Sequence, residues 1–395
     1  PAVLVHAAVG ALCFALGCFS PHTHRLPSSA APVGTPAAGA PAAPDPWIST
    51  THPHIGREGF NWTQLGMARA GNFPPGGVKR LKMEQVRENG QMWVHHTVFA
   101  RSLPAVVDGI GGAVSDELSG WTIDDFRRNW GDKDVTAAYS PDRRYNFGMQ
   151  DAEWGRVVVQ PARVRVRFSD FLHDVEEEQR QIARGEIPKE YVSVQQSPSR
   201  DFSEFGLPSL PPGLEDLVKT TLNARNLWIA TPGKLSVLHY DWQDSVLLQL
   251  SGSKRFTIID PARMQTAYPC IQRMKTWQRV SRGVFRGKVE DREIDNFPLV
   301  NLTHPDFKRH PMFRDASVFS VEVPAGSALL LPAYWYHQVE SFAEPGKLNV
   351  AINYWYQGHS LATRLYRTLR ENVFINCTEP PPPGMPHPCR DSYRD

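Results

Sequence analysis

Three residues carry the first chemical suggestion in this 395-residue chain. They are His239 and Asp241, two positions apart in His239-Tyr240-Asp241, and His337 far downstream. In an extended strand alternate side chains share a face, so His239 and Asp241 would stand about 6.6 Å apart on one side and could grip a single ion. Alone, such a pair is as ordinary as a hydrogen-bonded strand end. His337, in its own strand-rich stretch, completes a set of two imidazoles and one carboxylate. That donor set holds non-haem Fe(II) on one side and leaves the remaining coordination positions open.

Two stretches must position these side chains. In the first, Asn226 to Pro261, Ser245 to Leu250 reads as a strand, Ser251-Gly252-Ser253 as a tight turn and Lys254 to Ile259 as the returning strand. This predicts a β-hairpin. In the second, Val323 to Tyr356, a Pro-Ala-Gly turn leads into an apolar strand closed by Pro332, His337 follows among aromatics, and Asn349 to Tyr356 returns as another strand. A second hairpin is predicted there. Alternation also puts Lys254 and Arg255 on opposite faces, so one of two adjacent cations points inward if the hairpin is covered. A buried ammonium needs an anion. A dicarboxylate ligand would serve, and so would an internal partner such as Asp244 or Glu322.

Both stretches resemble the JmjC/cupin-like family of Fe(II)- and 2-oxoglutarate-dependent oxygenases, in particular its small hydroxylase branch. That branch includes the asparaginyl hydroxylase acting on hypoxia-inducible factor and the tRNA wybutosine hydroxylase. The resemblance runs from about Trp121 to Tyr356. It implies a double-stranded β-helix, a mainly β jelly-roll core with packed helices, and iron ligation by His239, Asp241 and His337. By the same resemblance Lys254, fifteen residues after the first ligand in Gly-Ser-Lys-Arg, grips the distal carboxylate of 2-oxoglutarate. Ser236 stands where the family has Thr and keeps the hydroxyl; Tyr191 in Tyr-Val-Ser-Val-Gln-Gln is a further cosubstrate contact. Asn353 in Ile-Asn-Tyr-Trp-Tyr matches a family Asn that supports the metal or the cosubstrate. The implied reaction is hydroxylation of a protein or other macromolecular substrate, RNA included, with Fe(II), 2-oxoglutarate and O2. Two alternatives stand beside it: a cupin enzyme that does not use 2-oxoglutarate, and a catalytically silent, membrane-tethered interaction module.

Composition allows this and excludes little else. At 41% hydrophobic the chain can bury a substantial core, and 43 basic against 41 acidic residues gives no charge argument for wholesale nucleic-acid binding. Thirty-four prolines and 29 glycines suit a loop-rich β fold. Residues 1–19 contain an apolar run, Ala2 to Phe19, that fits a signal peptide or signal anchor. Residues 20–50 read as an Ala/Pro-rich linker, 51–375 as the oxygenase domain and 376–395 as a Pro-rich tail. The leader and the sequons at Asn61, Asn301 and Asn376 point to the secretory pathway or a lumenal membrane tether, with a cytoplasmic location as the alternative. Of the five cysteines, Cys377 and Cys389 can close a short loop, leaving Cys270 free.

Elsewhere, Gln91 to Val98 and Ala105 to Val107 read as short strands, and Thr122 as the N-cap of a helix. Arg163 to Phe168 is a strand with one solvated charged face. Ser169 to Arg184 is a helix capped by Ser169, with Phe171, Leu172 and Val175 inward and Glu176-Glu177-Glu178 facing solvent. Arg263 to Arg292 carries eight cations, with Glu290 and Asp291 opposing them, and reads as a basic lid or mobile loop that could steer an acidic or phosphate-bearing substrate. Leu361, Leu365, Leu369 and Val373 at helical spacing predict a C-terminal helix that serves as core or as a homodimer face.

Overall fold

The computed structural model describes residues 78–111, 113–151, 154–196, 205–207, 209–219, 222–357 and 374–377. The chain begins with β1 (Lys79–Lys82), α1 (Met83–Val94), a π-helical turn (His95–Phe99), β2 (Ala105–Asp108), α2 (Ala113–Gly120) and α3 (Ile123–Trp130). It continues through β3 (Asp134–Ser140), β4 (Phe147–Asp151), β5 (Gly155–Gln160), β6 (Ala162–Arg167), α4 (Phe168–Ala183), β7 (Tyr191–Gln196) and α5 (Glu215–Lys219). The barrel proper starts with β8 (Leu222–Ala230), β9 (Leu235–His239), β10 (Asp244–Ser251) and β11 (Ser253–Ile259). After an inserted pair, β12 (Cys270–Ser281) and β13 (Val284–Ile294), it resumes with β14 (Val318–Pro324), β15 (Ala328–Leu331), β16 (Tyr336–Phe342) and β17 (Asn349–Tyr356). A two-residue strand, β18 (Ile375–Asn376), follows.

Barrel strands alternate between two facing sheets, except that β11 and β14, on either side of the insertion, are neighbours in one of them. β15, β10, β17 and β8 are neighbours in a nine-stranded sheet of order β1-β2-β15-β10-β17-β8-β7-β3-β6, and β14, β11, β16 and β9 make a four-stranded sheet. This is the double-stranded β-helix that the resemblance implies. It corrects the two predicted hairpins. β10 pairs with β15 and β17, whereas β11 pairs with β14 and β16, so neither returns on its sequence neighbour. The switch occurs at Gly252, whose φ of +71° turns the chain from one sheet to the other, and where a Cβ would collide with the Phe342 carbonyl oxygen. β10 is buried along its whole length, which suits an interior strand covered on both faces.

Leu247, Phe256, Ile258, Val323, Leu329 and Ala351 fill the barrel. Outside the large sheet, Phe126, Trp130, Phe168, Phe171, Leu172 and Val175 on α3 and α4 pack against it in a larger apolar cluster. Phe171, Leu172 and Val175 face inward as the helical spacing predicts, although α4 starts at Phe168 with Arg167, not Ser169, at its N-cap. Thr122 does cap α3: its hydroxyl accepts the Asp125 N–H, and the Asp125 carboxylate accepts the Thr122 N–H. Gln91 to Val98 is helical and not a strand. Val94 and Val98, four apart, are both buried, and that spacing is helical.

The third sheet, β13-β12-β5-β4, is the largest departure from expectation. Arg263 to Arg292 is no mobile loop: β12 and β13 form a long hairpin whose first strand lies parallel to β5 from Arg273 to Thr276. The N-terminal leader and linker, the C-terminal Leu/Val stripe, Asn61 and Cys389 lie outside the described residues. No helix among the described residues is long and apolar enough to cross a membrane. Cys270 is a buried free thiol, and Cys377 is disulfide-bonded.

Candidate active site

His239 is the last residue of β9, and β16 runs antiparallel to it with His337 directly opposite. The two imidazole centroids are 4.3 Å apart, and His337 Nε2 is 3.8 Å from Asp241 Oδ2. One ligand atom from each of the three residues falls within 4.8 Å of the others. Asp241 lies beyond the end of β9, so strand alternation is not what aims it. The bend at Tyr240-Asp241 is held from two sides. Asn296 donates its amide to the Tyr240 carbonyl and accepts the Tyr240 N–H through its backbone, and the Tyr334 N–H donates to the Asp241 carbonyl. Tyr334 takes a left-handed conformation there, φ 66°.

Each imidazole has one nitrogen already committed. His239 Nδ1 lies 2.7 Å from the Val237 carbonyl oxygen and His337 Nδ1 lies 2.9 Å from that of Trp335. Donation from Nδ1 leaves Nε2 as a lone pair, the form a metal needs. The Trp355 indole N–H donates to Asp241 Oδ2 at 2.8 Å, and Phe297 stacks on His239 at 5.4 Å. Burial, followed by the neighbouring His239, holds His337 below the ordinary imidazole range, which favours the neutral ligand form. Two imidazoles and one carboxylate, oriented by their own hydrogen bonds, fit a non-haem Fe(II) site.

Lys254, Tyr191 and Ser236 border one cavity, together with Lys234, Arg143 and Ser341. Lys254 is 6% exposed and donates to Ser341 Oγ at 2.8 Å. Burial alone pulls its ammonium down to about 7. Among the described residues no carboxylate lies within ion-pair distance of it. Asp244 accepts the Ala333 N–H and Glu322 accepts the Ser253 hydroxyl, so neither serves as the internal partner considered above. Arg255 points the other way, with its guanidinium 5.1 Å from the Phe342 ring. The β11–β16 register pairs Lys254 with Ser341 and Ile258 with His337. Lys254 and His337 therefore project from the same inner face, about 14 Å apart along the strands before the lysine side chain reaches back. Asn353 does not border this cavity. It is buried on β17, two residues before Trp355, with Oδ1 unpartnered.

The family model described as "Cupin-like domain" matches residues 92–361. The chain belongs to that family. Its curated relatives include a human protein named bifunctional peptidase and (3S)-lysyl hydroxylase JMJD7, 29% identical over 248 residues, which cover 60% of this chain and 72% of the relative. An Arabidopsis protein named lysine-specific demethylase JMJ32 is 28% identical over 145 residues, 34% of this chain and 41% of that one. A mouse tRNA wybutosine-synthesizing protein 5 is 28% identical over 113 residues, 29% of each chain.

Several residues of this cupin-like site escaped the sequence reading. Glu178 is no solvent-facing acid: it is 3% exposed and accepts from the Val192 N–H, the Thr231 hydroxyl and the Lys234 ammonium. Its place three residues after Val175 on the inward stripe was the available signal. Trp355 and Phe297 had no local signal. Several cations of the inserted hairpin are matched internally, whereas Arg286, Lys288 and Arg292 are exposed and make no ion pair among the described residues. Lys275 pairs with Asp151 at 2.7 Å, Arg273 with Asp291 at 2.9 Å, and Arg279 with Glu190 at 2.6 Å while lying 4.1 Å from the Tyr139 ring.

Proposed function

We propose that this cupin-like chain is an Fe(II)- and 2-oxoglutarate-dependent oxygenase that hydroxylates a C–H bond of a protein substrate. The observation that carries the reading is a single inner barrel face. It bears a three-ligand cluster at one end and, at the other, a buried ammonium with no carboxylate partner among the described residues. His239, Asp241 and His337 would hold the iron; Lys254, Tyr191 and Ser236 would hold the far carboxylate of 2-oxoglutarate, with Asn353 supporting the metal end. Bound there, iron with 2-oxoglutarate and O2 supplies the oxidising power that converts the cosubstrate to succinate and CO2 and inserts oxygen into a C–H bond.

The chain's own residues prepare for this. The carbonyls of Val237 and Trp335 engage Nδ1 of each imidazole and so turn both Nε2 atoms toward a metal, and Trp355 fixes one carboxylate oxygen of Asp241. Lys254 gives a dianion the charge partner that the protein withholds from it, which favours dicarboxylates over neutral ligands. A polypeptide is favoured over RNA because 43 basic against 41 acidic residues gives no overall charge attraction for nucleic acid, and Arg273, Lys275 and Arg279 are paired within the protein, although Arg286, Lys288 and Arg292 stay exposed. The lysyl hydroxylase activity in the name of the human relative points the same way.

Anaerobic addition of Fe(II) and then 2-oxoglutarate should produce a weak visible charge-transfer band. Once O2 is admitted, succinate release should rise with members of a peptide library and not with RNA. No band in metal-loaded protein would overturn the cosubstrate assignment, and stimulation by RNA alone would overturn the substrate class.

A further inference from the structure

Behind the cosubstrate cavity lies a buried ion pair that the proposed reaction does not yet use. Lys234, in the turn between β8 and β9, is nine-tenths buried, and its Nζ lies 3.0 Å from Glu178 Oε2. The same carboxylate accepts the Val192 N–H at 2.8 Å and the Thr231 hydroxyl at 2.9 Å. Lys234 borders the cavity beside Tyr191, Ser236 and Lys254, and its ammonium stands 4.6 Å from the centre of the Tyr191 ring. Both the ring of Tyr191 and the backbone of its neighbour Val192 are thus tied to one carboxylate on α4. Burying such a pair costs more than burying two apolar side chains of the same volume. It also lies in the wall that faces the ligand.

We propose that Glu178 and Lys234 form a positioning pair that sets the Tyr191 phenol toward the distal carboxylate of 2-oxoglutarate and adds a second positive charge to that end of the cavity. The proposal rests on the cosubstrate reading above. An ammonium over the ring polarises the phenol toward donation and restricts its rotation. Glu178 in turn keeps the ammonium in place and anchors the start of β7. Division of labour follows from charge balance. Lys254, with no carboxylate partner among the described residues, supplies most of the attraction for the dianion. Lys234, already compensated by Glu178, adds orientation and a smaller share of affinity.

The test uses the full chain loaded with Mn(II), measuring 2-oxoglutarate binding by calorimetry and, with Fe(II), the KM and kcat of uncoupled succinate release. The double variant Lys234→Met/Glu178→Gln removes both charges and leaves no orphaned carboxylate. It should bind 2-oxoglutarate about tenfold more weakly, the size of one partly desolvated cation contact. KM should rise with it, while kcat and Mn(II) affinity stay unchanged. Lys234→Arg should keep affinity within about threefold of wild type, whereas Lys234→Gln, which leaves the Glu178 charge uncompensated, should bind at least as weakly as the double variant; this comparison also decides the matter if the double variant does not fold. Wild-type affinity in Lys234→Gln or in the double variant would overturn the role of the pair. A wild-type protein that takes up Mn(II) yet does not bind 2-oxoglutarate would instead sink the cosubstrate reading itself.

Discussion

Replacing Lys254 by Met should stabilise the ligand-free protein while abolishing its response to 2-oxoglutarate. Lys254 is 6% exposed, and burial draws its ammonium from 10.5 to about 7. At about 1.4 kcal/mol per pH unit between those values, keeping it charged at pH 6 costs about 5 kcal/mol. The unfolded chain keeps its proton up to 10.5 while the folded chain releases it above about 7, so this contribution to stability rises with pH through that window. By pH 9 about 2 kcal/mol of the cost remains. Methionine fills similar volume without charge and forfeits the bond to Ser341, worth about 1 kcal/mol. The ligand-free variant should therefore exceed wild type by about 4 kcal/mol at pH 6 and about 1 kcal/mol at pH 9. Urea denaturation at both pH values measures this gap. Repeating it in Mn(II) without and with 2-oxoglutarate should show 2-oxoglutarate raising the wild-type midpoint further through linkage and adding nothing to the variant's. A variant less stable than wild type at pH 6, or a gap equal at the two pH values, would refute the reasoning.

Two further outcomes follow from the same barrel. Trp355→Phe keeps the ring but loses the N–H donated to Asp241, and Mn(II) affinity should fall about 10- to 100-fold in a competition titration, with the unfolding midpoint little changed. Burial pushes the Glu340 carboxyl up to about 7 against the pull of Arg255 and Arg143. The folded chain then holds a proton that the unfolded chain releases above about 4.5, so this contribution to stability falls by about 3 kcal/mol as pH rises from 4.5 to 7. Denaturation midpoints of Glu340→Gln across that range should lack the slope.

The chemistry-bearing residues were legible because their signals are local. His-x-Asp, the later His and the Lys-Arg step are short patterns; Thr122 caps its helix through a residue three positions on; Asn349–Tyr356 is a strand over the residues its composition marks. Partners across sequence distance were not legible. Arg279 and Lys275 looked like unopposed charge because Glu190 and Asp151 stand 89 and 124 positions away. Ser251-Gly252-Ser253 looked like a hairpin turn because nothing nearby says that β10 takes its neighbours from β15 and β17.

From the amino-acid order alone came the candidate ligand types, the inference that one of Lys254 and Arg255 turns inward, and the strands that carry them, since each depends on side-chain chemistry or on the two-residue period of an extended backbone. Tertiary structure decided that His239 faces His337 across two strands, that Asp241 is aimed by Asn296 and Tyr334, and that Glu178 is buried under Lys234. Strand pairing and burial are set by which surfaces exclude water together, and that is a property of the closed barrel.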